Sequence, residues 1–110
     1  MRMPLLLRTC VLALALALSL VLPLRAEEKT ASVHIDNFTF TPAEITIAPG
    51  TTLTWVNGDD IPHTVTASNK AFRSKVLDSE QQFSFTFNDP GVYEYFCSLH
   101  PYMKGKVIVK

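Results

Sequence analysis

A chain of 110 residues, in which ten basic side chains match ten acidic ones, is long enough for one compact domain and too short for two. The zero formal charge is not evenly spread: setting aside the apolar first 26 residues leaves seven Lys and Arg against ten Asp and Glu, a net of −3 that disfavours a nucleic-acid partner. The same division leaves one cysteine, Cys97, and one methionine, Met103, so no internal disulfide can form, and a metal becomes the natural staple for so small an exported domain.

The first segment differs from everything after it. Arg2 and Arg8 supply positive charge around the start of an apolar run of Leu, Ala and Val from Thr9 to Leu24, the order of a secretory signal peptide. A run of about 15 residues falls short of the roughly 20 that a membrane span requires. Cleavage after Ala26 leaves a small residue at the last position, although Leu24 is bulkier than usual two positions earlier, so the cleavage point is open by a few residues. An uncleaved N-terminal anchor is the alternative. Cys10 stands before the apolar run rather than after it, the wrong place for a lipid-modified cysteine. Residues 1–26 are read as the leader of a protein exported to the periplasm, and 27–110 as one domain, a monomer with no membrane span in its mature form.

Beyond the leader the apolar period is two. Val33 and Ile35, Phe38 and Phe40, Ile45 and Ile47, Leu53 and Trp55, then Phe83, Phe85 and Phe87, and finally Val107 and Val109 alternate with polar or small neighbours, as half-buried strands do. Turn chemistry separates them: Thr41-Pro42, Pro49-Gly50, Asn57-Gly58-Asp59-Asp60 and Asn88-Asp89-Pro90-Gly91. No segment has a helical period. The pattern predicts an all-β antiparallel sandwich of seven or eight short strands. Residues 67–79 are polar and irregular, and are expected to form a long connection with at most one short strand. His34 alternates with Val33 and Ile35 and so should face solvent.

From Gly91 to Cys97 the alternation places Tyr93, Tyr95 and Cys97 on one strand face. Tyr93 stands where a tyrosine corner would pin the preceding crossover, and core packing is the plainer role of both tyrosines. The reactive side chains then follow in Cys97-Ser98-Leu99-His100-Pro101-Tyr102-Met103, where thiol, imidazole and thioether recur at every third position just past a strand end. A tight loop can turn all three toward one point, with Pro101 restricting the chain between His100 and Met103. Singly, a buried free Cys, a surface His and a core Met are all commonplace; their coincidence at one strand end is not. His63, in Ile61-Pro62-His63-Thr64-Val65, offers a fourth donor from a distant strand start.

One thiolate, two imidazoles and one thioether select a metal by softness. Thiolate and thioether favour copper, and a His₂Cys plane with a weak axial Met is the arrangement of blue-copper electron-transfer sites. Zinc more often draws a second Cys or a carboxylate.

At this point the chain resembles the cupredoxins over essentially all of residues 27–110, and its short Cys97-x-x-His100-x-x-Met103 loop is most similar to that of the amicyanin branch. Phe38-Thr39-Phe40-Thr41-Pro42, Pro49-Gly50-Thr51-Thr52-Leu53-Thr54-Trp55, Pro62-His63 and His100-Pro101-Tyr102-Met103-Lys104-Gly105-Lys106-Val107 extend the resemblance. The resemblance implies a Greek-key β-sandwich, one copper ion with His63, Cys97 and His100 as equatorial ligands and Met103 as the axial one, and a hydrogen bond from the Thr64 N–H to the Cys97 sulfur that tunes the potential. It further implies that redox partners dock around Pro62, His100, Pro101 and Tyr102, and that the protein carries single electrons and is not an enzyme. A copper carrier or store could use the same four ligands. A thiol enzyme would need a substrate cleft, which nothing in so small a sandwich suggests, and a metal-free interaction domain is the remaining alternative.

Overall fold

The computed structural model describes residues 29–110, so the leader assigned to 1–26 lies outside the described residues. The alternating segments become eight strands: β1 (Thr30–Asp36), β2 (Thr39–Thr41), β3 (Glu44–Ile47), β4 (Thr51–Asn57), β5 (Thr66–Ala67), β6 (Gln82–Phe87), β7 (Gly91–Phe96) and β8 (Lys104–Val109). They form two four-stranded sheets, in the orders β2-β1-β4-β6 and β3-β8-β7-β5. The all-β sandwich expected from the periodicity is what the chain adopts. Among the described residues no helix is long and apolar enough to cross a membrane.

The pairing is not purely antiparallel, and this corrects the expectation. β1 runs parallel to β4 and β3 parallel to β8, while the other ladders are antiparallel. The reason lies in the short link after β2. Only Pro42 and Ala43 separate β2, in the first sheet, from β3, in the second, and Pro42 has no N–H to extend a ladder. The chain therefore changes sheets there instead of folding back, and β4 returns beside β1 by a crossover, which gives a parallel neighbour.

The core lies between the sheets. Val33 and Ile35 of β1, Leu53 and Trp55 of β4, Tyr95 of β7 and Val107 of β8 are essentially inaccessible, and full burial of side chains of this kind contributes about 1.5–3 kcal/mol each. Trp55 sits at the centre, with Phe72, Phe83, Phe87 and Tyr95 around it at centroid distances of 5.5, 5.7, 6.3 and 5.4 Å. The ring of Tyr95 occupies space that a side chain at Gly105, its cross-strand partner, would need. Burial pushes the Tyr95 phenol up to about 12, and the indole N–H of Trp55 acts in the opposite sense from outside hydrogen-bond geometry. Tyr93 donates its hydroxyl to the Asp89 carbonyl at 2.8 Å, four residues upstream, as a tyrosine corner does. His34 is exposed on β1, as the alternation requires, and residues 68–79 contain no strand.

The two-residue turn between β1 and β2 is unusual. Asp36 pairs with Thr39, and both intervening residues have positive φ, 50° at Asn37 and 58° at Phe38. That is the geometry of a primed hairpin turn, whose second position normally takes glycine. A bulky side chain there costs about 1–3 kcal/mol.

Candidate metal centre

His63 reaches the site on a stretch held by its neighbours rather than on a regular strand. The sequence reading had it opening a strand, but β5 begins at Thr66, and His63 instead forms an isolated bridge with Leu77. The His63 N–H donates to the Leu77 carbonyl at 3.0 Å and the Leu77 N–H returns a bond at 2.8 Å. Upstream, fully buried Asn57 shapes the loop: its amide donates to the carbonyls of Ile61 and Leu77 at 3.0 and 2.9 Å, and its side-chain oxygen accepts the Asp59 N–H at 2.9 Å.

Cys97 follows the last residue of β7. The next six residues fold by repeating turns: the His100 N–H donates to the Cys97 carbonyl at 3.2 Å, and the Met103 N–H to the His100 carbonyl at 2.9 Å. The Cys97 N–H donates to the Met103 carbonyl at 3.1 Å, closing the loop on itself. This is the physical basis of the three-residue spacing, since each turn advances the chain by three and returns the next side chain to the same end. Met103 is buried at the close of the loop.

The donor atoms of His63, Cys97 and His100 lie within 4.8 Å of one another. Cys97 Sγ is 3.8 Å from His63 Nδ1 and 3.7 Å from His100 Nδ1. With metal–sulfur and metal–nitrogen bonds of about 2.3 and 2.0–2.1 Å, a trigonal angle of about 120° separates N from S by about 3.8 Å, and a tetrahedral angle by about 3.6 Å. The observed separations fall within this range, so the three donors fit around a single ion, and with buried Met103 on the same loop the donor set fits copper. His63 and Cys97 are fully buried, whereas His100 is half-buried and gives the site its one edge toward solvent.

The surroundings fix these donor side chains. His63 Nε2 lies 2.8 Å from Asp59 Oδ2. A carboxylate only accepts, so Nε2 carries the proton and Nδ1 is left with its lone pair toward the sulfur. Burial works to raise the Asp59 carboxyl, but bonds from the Phe38 N–H, His63 and the Asn37 N–H outweigh it and hold the group below its usual value. The Thr64 N–H points at Cys97 Sγ at 3.3 Å, the contact that the resemblance implied. Thr64 Oγ1 also accepts the Ser98 N–H at 2.7 Å and shares a 2.7 Å hydrogen bond with Ser98 Oγ. Thr64 thus ties the two donor-bearing segments together.

Three residues that matter here were not singled out from the sequence as site residues. Asp59 and Asn57 stood only as turn formers, and Phe38 as a strand residue in a stretch that carries the resemblance. Phe38 stacks perpendicular to both imidazoles, at 5.4 Å from His63 and 5.0 Å from His100. His34 is on an outer sheet face and takes no part.

The family model of the cupredoxin-like domain matches residues 8–109. This chain belongs to the cupredoxin family. It is 41% identical over 83 residues to an amicyanin from Paracoccus versutus, across 71% of this chain and 63% of that protein, so it spans less than two thirds of that relative's length. A purple cupredoxin from Nitrosopumilus maritimus superposes with a TM-score of 0.69 at 33% identity, over 73% of this chain and 99% of that one. A substituted amicyanin in its Cu(I) form gives a TM-score of 0.70 at 31% identity, over 78% of this chain and 87% of that one.

Proposed function

We propose that this cupredoxin is an exported carrier of single electrons, not an enzyme, and that His63, Cys97, His100 and Met103 would hold one copper ion. The observation that carries the reading is the pair of sulfur–nitrogen separations, 3.8 and 3.7 Å, at a buried thiol. When bound, copper supplies a one-electron couple between Cu(II) and Cu(I).

The residues supply rigidity. Electron transfer without bond rearrangement is fast when the ligands barely move between the two valences. Asp59 fixes the His63 ring, the turns of the loop fix His100 and Met103, and Thr64 fixes the segments relative to each other. The Thr64 N–H lowers electron density at the sulfur and so tunes the potential. Access is through His100. Around it Pro62, Leu99, Pro101 and Tyr102 are exposed, Leu99 and Tyr102 by 48% and 70%, and this apolar end is where a redox partner docks to take or give an electron. Mature protein in the periplasm, monomeric between encounters, is the setting that fits the leader.

A carrier that hands over its ion would need exchangeable ligands, whereas His63, Cys97 and Met103 are all buried. Adding Cu(II) to the purified apo-protein tests the reading directly. An intense visible charge-transfer band from the Cys97 thiolate, lost in Cys97→Ser, together with a reversible one-electron wave, is the expected result. A colourless sample refutes copper binding by the thiolate; a blue sample without reversible electron transfer, from which a chelator readily strips the metal, identifies a carrier.

A further inference from the structure

We infer that Phe38 is a positioning residue for the metal ligands, laid across both imidazoles by a turn that the Asp59 carboxylate clamps. The inference deepens the copper reading above and rests on it.

The hairpin between β1 and β2 does not need a phenylalanine. Asn37 and Phe38 both have positive φ, and glycine satisfies the second position of such a turn without strain. Strain of this kind persists where the surrounding structure over-determines it, and it gathers at functional sites. Here the over-determination is visible. Asp59 Oδ1 accepts the Asn37 N–H at 2.6 Å, and Oδ2 accepts the Phe38 N–H at 3.0 Å and the His63 ring N–H at 2.8 Å. One carboxylate thus binds both amides of the strained turn and one ligand.

What the strain achieves is the position of a ring. Phe38 meets His63 at an interplanar angle of 87° and His100 at 90°, while the two imidazoles stand 5.1 Å apart. Perpendicular aromatic contacts of this geometry are attractive beyond simple burial. Apart from the His63 ring, the remaining aromatic neighbour of His100 is Tyr102, at 6.2 Å and mostly exposed. Phe38 is therefore the side chain that restrains His100 from swinging outward and keeps its spacing from His63.

The test compares wild type, Phe38→Gly and Phe38→Tyr. Relief of the left-handed strain offsets the lost packing in Phe38→Gly, so its apo form should melt close to wild type. Its Cu(I) should pass to excess bathocuproine disulfonate about ten-fold faster or more, the rate equivalent of two lost ring contacts, and its Cu(II) hyperfine splitting should change. Phe38→Tyr keeps the ring and should restore both. Wild-type release and wild-type hyperfine splitting in Phe38→Gly overturn the inference. If Phe38→Gly folds poorly, Phe38→Leu decides: it keeps the apolar bulk and the strained backbone without the ring, and wild-type behaviour there overturns the inference too. A wild type that binds no copper removes the copper reading and this inference with it, whereas a blue wild type with an indifferent Phe38→Gly variant removes this inference alone.

Discussion

Thr64→Val separates the two roles of the residue that joins the ligand-bearing segments. Valine keeps the branched shape and the backbone N–H, which stays 3.3 Å from Cys97 Sγ, and deletes the hydroxyl that holds the Ser98 N–H and Ser98 Oγ, each at 2.7 Å. An unsatisfied buried donor costs about 1–3 kcal/mol. Thr64 is buried, but Ser98 is exposed, so water takes over the freed groups and the loss falls at the low end, about 1 kcal/mol. For a domain of this size that lowers the melting temperature by about 4–8 °C. Thermal melts of the apo-protein measure it, and Ser98→Ala, which keeps the Ser98 N–H, should lose less. In the copper-loaded protein the charge-transfer band should move only slightly, because the N–H bond to the sulfur at 3.3 Å survives and only the longer hydroxyl contact at 3.9 Å is lost. An unchanged melting point would show that the hydroxyl ties nothing together. A large shift would show that the N–H contact depends on the hydroxyl or that the hydroxyl's own 3.9 Å contact to the sulfur matters.

Gly105→Ala should destabilise by about 1–3 kcal/mol in urea denaturation, because its Cβ would stand under 3.0 Å from Cζ, Oη and Cε1 of Tyr95, a ring packed between Phe40 and Trp55. Adding Tyr95→Leu should remove most of that penalty, and an additive double variant would refute the clash. Tyr95 also predicts alkaline sensitivity. Its folded value, about 12, lies above the ordinary 10.0, so stability is full below pH 10 and declines by roughly 1 kcal/mol per pH unit from there to about 12; Tyr95→Phe should flatten this slope. Asp59 gives the acid limb with the opposite sign. Its folded value is depressed from 3.8, so its contribution is present above that value and is lost as pH falls through the folded one. Apo melting below about pH 4 should steepen relative to Asp59→Asn. Tyr93→Phe should cost about 0.5–1.5 kcal/mol of apo stability, the worth of the hydroxyl bond to Asp89.

What could be read from the sequence was local. Strand positions follow from alternation because burial on one sheet face repeats every second residue. The ligand loop follows from its three-residue spacing because its turns close within seven residues, from Cys97 to Met103. His63, 34 residues from Cys97, had no local signal beyond its type and its place after a turn, and it was offered as the fourth donor that the loop lacked before the resemblance supported it. The supporting residues were hidden for a different reason. Asp59 bonds the Asn37 and Phe38 amides and the His63 ring, and Asn57 bonds the Ile61 and Leu77 carbonyls and the Asp59 N–H. Asn37, Phe38 and Leu77 are distant in sequence, so the turn composition accounted for both residues and left no local sign of the second role. Phe38 and Phe40 stand two apart, as neighbours on a strand face do, yet β2 begins only at Thr39. Alternation carries no information about the sign of φ, so no turn was expected at Asn37 and Phe38 and the phenylalanine was counted into the strand.

The missed parallel ladder and the missed site residues are one fact. If β1 and β4 ran antiparallel, the turn after β1 and the loop after β4 would lie at opposite ends of the sandwich. Because they run parallel, Ile35 pairs with Asn57 and the Gly58 N–H donates to the Ile35 carbonyl at 2.7 Å, so both strands end side by side. That juxtaposition carries Asn37 and Phe38 to the Asp59 carboxylate, and Asp59 to His63. The sheet change at Pro42 and Ala43, which sets the parallel register, is therefore what makes a clamp between the hairpin turn and the ligand geometrically available. Shortening or lengthening that link would disturb the metal site without touching any donor.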